Sequence, residues 1–377
     1  MKFFALFAVA SALLFAGSAF AAESNVDVRN AGDFYEVLKN AGADAMTVIN
    51  IKADIDAVTS ATIGGTKEEN VAKWIVIEGN GHTIRGSKGV TDTALRFVNN
   101  NPPTDPAHNR ITLRNLVLKD LNSTSFRYGG GAIAIRNGVL EVENCAFIGN
   151  EWTPNTEMTR RGGGAIMLEN SASSMKIINS TFYGNRTEAI TSRDIATNAG
   201  AVGAVGSGGA IYAGGGGSVT NCTIVGNGAS NADALGAVRG GGIYRFRGDA
   251  KLEISGNIIA RNTVQNSSSA ARFEDVYDNN SSGAGMIVDG GYNLISAAIA
   301  TAGAAFVPAA GSENALSDWS FLDDAPKDNG GSTLTIALLN ADNPAVDKIG
   351  DNAPKKDQRS FERVGPADIG AYEHGAR

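Results

Sequence analysis

Apolar and polar positions alternate in short runs along the middle of the chain, and the runs recur. Leu140, Val142, Cys145 and Phe147 fall on one face of an extended chain, with Glu141, Glu143 and Ala146 on the other and Asn144 at a corner. Met175, Ile177 and Phe182 repeat the pattern, with Lys176 facing outward. A period of two predicts short strands with one buried face. Upstream, Trp74-Ile75-Val76-Ile77-Glu78 with His82-Thr83-Ile84-Arg85, and Ile111-Thr112-Leu113-Arg114 with Leu116-Val117-Leu118, alternate in the same way and predict the first coils. The segment Asp33-Phe34-Tyr35-Glu36-Val37-Leu38-Lys39-Asn40 instead has helical spacing, and predicts a short cap over the open end of the core.

The runs are organised by repeats. Glycine clusters lead into Ile133, Ile166, Ile211 and Ile243, and matching blocks close on Asn150, Asn185, Asn227 and Asn262. The stretch from Ile to Asn is nearly constant and the stretch from Asn to the next glycine cluster varies, as expected of solenoid coils carrying one variable loop each. The expected architecture is all-β: a single-stranded right-handed parallel β-helix with a short N-terminal helical cap. The four Ile should form one inward column. The four Asn should form a ladder at a corner, where a left-handed backbone suits Asn and one amide bonds the next. The glycine clusters should allow the bend into the following strand. None of them is followed by Lys-Ser or Lys-Thr, so they do not form a phosphate cradle. The loops 151–161, 184–207 and 228–239 should leave the solenoid on one side, the candidate binding face.

Register also decides the cysteines. Cys145 and Cys222 occupy the same inward position, with Ser180 between them. Two coil rises separate their Cα atoms by roughly 9.6 Å, beyond the roughly 7 Å reach of a disulfide. Buried free thiols are expected.

Composition adds the compartment. Met1-Lys2, an apolar run over residues 3–16 and the small-residue end Ala19-Phe20-Ala21 read as a secretory signal, with the mature chain starting near Ala22. No later run is long enough to span a membrane as a helix, so no membrane insertion is expected after signal removal. The formal net charge is −7 over 377 residues, 47 of them Gly. Such a surface offers no general basic field, and no nucleic-acid partner is expected.

Candidate chemistry is sparse. His82, His108 and His374 are scattered, and Asp342, Asp347, Asp351 and Asp357 lack the spacing of known calcium loops. No metal, cofactor or catalytic residue is expected. Glu141, Lys176, Ser218 and Glu253 share an outward column that reads as a solvated, charge-paired face, and Glu143 has no acidic companion for glycosidic hydrolysis. The outward column Ala134, Met167, Tyr212 and Tyr244 runs beside Arg127, Arg160, Arg161 and Arg239, with Arg245 and Arg247 following. Aromatic rings beside planar guanidiniums suit sugars and carboxylated glycans. Tyr212, Tyr244, Arg161 and Arg239 are therefore expected to line a shallow exposed strip.

A final set of motifs lies downstream: Gly290-Gly291-Tyr292-Asn293-Leu294-Ile295, Asp328-Asn329-Gly330-Gly331-Ser332-Thr333, Asn343-Pro344-Ala345-Val346-Asp347, Asp357-Gln358-Arg359 and Asp368-Ile369-Gly370-Ala371-Tyr372-Glu373. With the coils, these resemble bacterial right-handed β-helix proteins of the choice-of-anchor Q type over residues 110–373. That resemblance implies an exported envelope or cell-surface β-helix, secreted, periplasmic or surface-associated. It departs at Ser360, where the family usually has Gly. The chain also ends His374-Gly375-Ala376-Arg377 where relatives carry an anchor, so covalent attachment is not expected. The expected organisation is a signal peptide at 1–21, a cap at 22–73, coils at 74–300 and a choice-of-anchor Q-like tail at 301–377. The expected function is non-catalytic binding of a polysaccharide, a cell-surface glycan or another surface. The alternatives are a polysaccharide lyase or glycoside hydrolase, and a structural spacer.

Overall fold

From Ala45 to Thr301 each turn of the chain places one strand in each of three long parallel sheets, and the strand order within each sheet is the sequence order. The computed structural model describes residues 21–41, 45–57, 61–63, 74–87, 92–99, 109–124, 129–154, 162–189, 206–232, 238–246, 248–279, 285–297, 300–301, 306–350 and 352–376. The first sheet stacks Ala21–Val28, Ala45–Ile51, Trp74–Glu78, Arg110–Arg114, Val139–Glu143, Ser174–Ile178, Gly216–Thr220, Leu252–Ser255 and Ile287–Asp289. The second runs from Ile55–Ala57 through Ala146–Ile148, Thr181–Tyr183, Thr223–Val225 and Ile258–Ala260 to Glu313–Asn314. The third runs from Ala61–Ile63 through Ile133–Arg136, Ile166–Leu168, Ile211–Ala213, Ile243–Arg245 and Val276–Asp278 to Ala300–Thr301. This is a parallel β-helix. Among the described residues no helix is long and apolar enough to cross a membrane.

Winding begins upstream of residue 74, because Ala21–Val28 already pairs with Ala45–Ile51. Between them the helix Ala31–Asn40 starts at Asn30, whose Oδ1 accepts from Asp33 N at 3.0 Å. Its Phe34 and Leu38 join the main core beside Val28, Ile51 and Ile55. Residues 1–20, nearly all of the expected signal segment, lie outside the described residues.

The register follows the sequence columns. Ile133, Ile166, Ile211 and Ile243 are successive partners, all fully buried, and Val276 extends the column. Glu141, Lys176, Ser218 and Glu253 are likewise successive partners on the opposite surface of the first sheet. Phe147 and Phe182 stack inside, 4.6 Å apart and nearly parallel. Cys145 and Cys222 are free and fully buried. Cys145 N donates to Ser180 Oγ at 3.2 Å, which fixes Ser180 in the intervening position. Burial pushes both thiols up to about 12. A thiol titration of the non-reduced protein should find two thiols that react only after denaturation, whereas an internal disulfide would contradict the stacking.

The Asn ladder is present, with one correction. Asn150 Nδ2 donates to Asn185 Oδ1 at 2.8 Å, Asn185 to Asn227 at 2.9 Å, and Asn227 to Asn262 at 2.8 Å. The left-handed residue, however, is the one before each rung: Gly149, Gly184, Gly226 and Arg261. The Asn that do adopt that conformation among the described residues are Asn80, Asn115, Asn144, Asn179 and Asn221, at the corner between the first and second sheets (φ 51, 49, 54, 45 and 48), and Asn137, between the third and the first (φ 52). The glycine clusters bend as expected, with positive φ at Gly130, Gly163, Gly208 and Gly240.

Residues 155–161, 190–205 and 233–237 of the variable segments lie outside the described residues, and the described stretches that lead into them are strands, not simple loops. Asn122–Ser123, Glu151–Trp152, Arg186–Ala189, Gly228–Asn231 and Thr263–Asn266 form a fourth parallel sheet, to which Arg272–Phe273 adds the one antiparallel strand among the described residues. Trp152 is fully buried there.

The segment beyond residue 315 folds back over the outer face of the second sheet. Trp319, Phe321, Leu338, Ile349 and Ile369 share a hydrophobic cluster with Val225, Ile258, Ala260 and Leu294. Ala146, read from the pattern as outward, is buried as well. Ser360 sits at φ 69, a left-handed position where glycine carries no Cβ penalty. Asp368 is 1% exposed, and burial lifts its carboxyl to about 6, against the backbone N–H groups of His374 and Asp347; Glu373 raises it further and Arg363 opposes. A carboxyl pKa raised in the folded state stabilises the fold at low pH and loses that contribution as pH rises through the folded value. Asp368 should therefore contribute on the order of 2 kcal/mol more at pH 4 than at pH 7. Carboxyl NMR of the folded chain checks this directly, and a resonance titrating near 4 would contradict it.

Candidate functional site

The third sheet supplies the column on which the aromatic reading rests. Its middle, outward positions are Arg96, Ala134, Met167, Tyr212, Tyr244 and Tyr277 in consecutive register. Stacked strands bring neighbouring rings together: Tyr212 and Tyr244 lie 5.3 Å apart, and Tyr244 and Tyr277 lie 5.9 Å apart and parallel. The two tyrosines do not line an exposed strip. Tyr212 is 2% exposed and Tyr244 0%. Rings at this spacing cover one another, and Met167 and Phe246 close the cluster. The Tyr244 hydroxyl accepts from Asn279 Nδ2 at 2.7 Å, so even its polar end is engaged. The two tyrosines are packing residues, and Arg161 lies outside the described residues. Arg245 turns inward too: it is 0% exposed, is held by the carbonyls of Ala213, Phe246 and Ala250, and burial pushes its pKa down.

Among the described residues, Arg239 is the predicted site residue that remains at the surface. Its guanidinium stands 4.9 Å from the Tyr277 ring centroid, and its Nη1 donates to Glu274 Oε2 at 3.1 Å. Arg272 Nη2 donates to the same oxygen at 3.0 Å. The other carboxylate oxygen accepts from Gly240 N at 2.9 Å, which ties the site to a glycine-cluster turn. Glu274 is nearly buried, while the Arg239 and Arg272 side chains are 35% and 47% exposed. Val238, Arg239, Asn266 and Arg272 line a depression of about 250 Å³. Arg272 arrives there because its strand reverses after the turn at 267–271 and pairs against Thr263–Asn266. Phe273, next along this strand, is 60% exposed.

The electrostatics are unbalanced in a useful way. Two guanidiniums share one carboxylate, leaving a local positive excess on a chain whose formal charge is −7. A guanidinium has five donors in a planar fork, and the shared carboxylate engages one nitrogen of each. The nearby carboxylates are occupied otherwise. Asp275 ends the Asn ladder, accepting from Asn262 Nδ2 on one oxygen and from Ser296 Oγ and Ala297 N on the other. Among the described residues no group of His, Cys, Asp or Glu could hold a metal ion.

Arg272, Glu274, Asn266 and Tyr277 did not emerge from the sequence, because the repeat wears out after Asn262. One signal was available: Asp275-Val276-Tyr277 continues the Gly242-Ile243-Tyr244 column.

Residues 25–189 match the family model described as a putative pectate lyase-like adhesive domain. No curated protein and no solved structure matches the chain. The basic depression lies beyond the matched residues, further along the same third and fourth sheets. The chain is thus a parallel β-helix that is similar, over residues 25–189, to a pectate lyase-like adhesive domain.

Proposed function

We propose that this chain is an exported, non-catalytic adhesive β-helix that holds an acidic glycan at the depression between Arg239 and Arg272. The carrying observation is the pair of half-exposed guanidiniums converging on one nearly buried carboxylate. Planar forks with open donors suit the carboxylate of a uronic or sialic acid, bound through paired hydrogen bonds. Asn266 on the rim offers an amide for sugar hydroxyls. The similarity to an adhesive domain supports a surface-binding role, and the signal-like N-terminus supports export. A non-catalytic role is supported by Glu274 and Asp275, whose oxygens are already committed to Arg239, Arg272, Gly240, Asn262, Ser296 and Ala297.

A glycan array probed with the whole chain tests this. Retention on uronate- or sialate-bearing glycans and not on neutral ones is expected, weakening with salt because the contact is exposed. Arg272→Gln leaves Arg239 to neutralise Glu274, so the fold should hold while affinity falls at least tenfold, about 1.4 kcal/mol. Equal retention on neutral glycans would remove the site. Release of unsaturated or reducing-end products from an acidic polysaccharide would replace the reading with an enzymatic one.

A further inference from the structure

Besides packing its apolar side chains on the outer face of the second sheet, the described part of the segment 316–375 bonds repeatedly to the corner between the first and second sheets. At the earliest corner it reaches, Ser332 O lies so close to Gly81 that a Cβ there would stand 2.8 Å from it. Ser332 Oγ then donates to Asn115 Oδ1 at 3.3 Å and Thr333 Oγ1 to Asn144 O at 3.0 Å. The next corner is gripped three times. Asn179 Nδ2 donates to Lys356 O at 2.7 Å, Arg363 Nη2 donates to Asn179 Oδ1 at 3.2 Å, and Thr181 Oγ1 donates to Gln358 Oε1 at 2.7 Å. Asn221 Nδ2 follows with Asp368 O at 3.2 Å, Ala371 N with Thr223 Oγ1 at 3.1 Å, and Gly370 N with Gly256 O at 2.8 Å. Asn115, Asn144, Asn179, Asn221 and Gly256 are the left-handed residues of successive corners.

Two limbs of the segment make these contacts, and they are joined to each other. Gln358 Nε2 donates to Thr333 Oγ1 at 2.9 Å, so the limb on the early corners is tied to the limb on the later ones. Behind them, Arg359 is clamped to Asp357 and to the carbonyls of Asn329 and Glu373. Arg363 is paired with Glu373 at 3.0 Å, both nearly buried. The segment is therefore stiff along the solenoid axis. Contacts of this kind skip coils, whereas in a solenoid each coil otherwise meets only its neighbours and can fray turn by turn from an end.

We propose that residues 316–375 form a longitudinal clasp that couples the coils from Gly81 to Gly256 into one cooperative unit, so that the early coils cannot unwind separately from the late ones. A segment that merely covered the last coils would have no reason to reach Gly81, Asn115 and Asn144. The motifs Asp328–Thr333, Asp357–Arg359 and Asp368–Glu373, singled out in the sequence, are the parts that grip the corners or brace the grip. This inference is independent of the glycan reading.

Hydrogen exchange on the whole chain tests it. In the unaltered protein, the amides of Trp74–Glu78, Arg110–Arg114, Val139–Glu143, Ser174–Ile178, Gly216–Thr220 and Leu252–Ser255 should open together at one common rate. The double variant Ser332→Ala, Thr333→Val removes the distal grip while keeping volume nearly constant. It should accelerate exchange at least tenfold in Trp74–Glu78, Arg110–Arg114 and Val139–Glu143, and leave Leu252–Ser255 unchanged. Graded exchange from coil to coil in the unaltered protein overturns the clasp, and that measurement needs no variant. So does a variant whose exchange is unchanged, or changed only within 328–335.

Discussion

Asn227→Ala is expected to cost about 3–5 kcal/mol of folding stability, far more than an ordinary surface Asn. Asn227 is 1% exposed, and its amide makes four hydrogen bonds. Oδ1 accepts from Asn185 N at 2.9 Å and Asn185 Nδ2 at 2.9 Å, while Nδ2 donates to Phe182 O at 3.1 Å and Asn262 Oδ1 at 2.8 Å. Truncation leaves the Asn185 backbone N–H without its acceptor in a dry corner and takes one of two partners from Asn185 Nδ2. Each orphaned buried group costs about 1–3 kcal/mol. Asn227→Asp should fail in a different way. The carboxylate could still accept both donors of Asn185, but its second oxygen would face Phe182 O and Asn262 Oδ1, two acceptors. The natural aspartate at Asp275 escapes this because Ser296 Oγ and Ala297 N donate to its second oxygen, both at 2.7 Å. Urea denaturation of both variants checks the prediction, and a loss below about 1 kcal/mol for either would mean that the ladder is ornamental.

Arg359→Ala is the second large effect, expected at about 3–5 kcal/mol, the usual cost of removing one partner from a buried ion pair. Arg359 and Asp357 side chains are 2% and 0% exposed, 2.7 Å apart. The guanidinium also lies 3.8 Å from the Tyr372 ring centroid and 4.7 Å from that of Phe361. Arg359→Lys should not restore stability, because an ammonium cannot serve Asp357, Asn329 O and Glu373 O at once while stacking on two rings. Destabilisation should appear as release of the tail's apolar cluster from Val225 and Ile258, followed by binding of a hydrophobic dye. If Arg359→Ala unfolds at the same denaturant concentration as the unaltered chain, the tail contributes little to stability.

The coils were legible because their physics is local and periodic. A strand with one buried face alternates, and stacking then forces like residues into columns, so Ile133 predicts Ile166, Ile211 and Ile243. The same columns kept Cys145 and Cys222 apart. What escaped was set by contacts far apart in sequence or by segments too short for a period to show. Glu151–Trp152 is a strand of two residues, and nothing around Trp152 announces a fourth sheet. The tail has no period, since its strongest ties are to Asn115, Asn144 and Asn179 some 180 to 220 positions away. Its motifs could be recognised, but their docking could not. The candidate site was half legible. An outward Tyr column beside arginines was read correctly as a column, but alternation separates core side from outer side and not covered from open. Hence Tyr212 and Tyr244 proved buried, and the open chemistry lies at Arg239 and Arg272, where the repeat has decayed.

Recognition by Arg239 and Arg272 should turn on a ligand carboxylate. The most direct measurement is calorimetric titration of the whole chain with an acidic oligosaccharide retained on the array, alongside the same oligosaccharide with its carboxylates reduced to alcohols. Reduction should weaken binding at least tenfold, and Arg272→Gln should weaken the acidic ligand to a similar level, with little further loss when both changes are combined. Equal affinity for the acidic and reduced forms, or full additivity of the two changes, would contradict it.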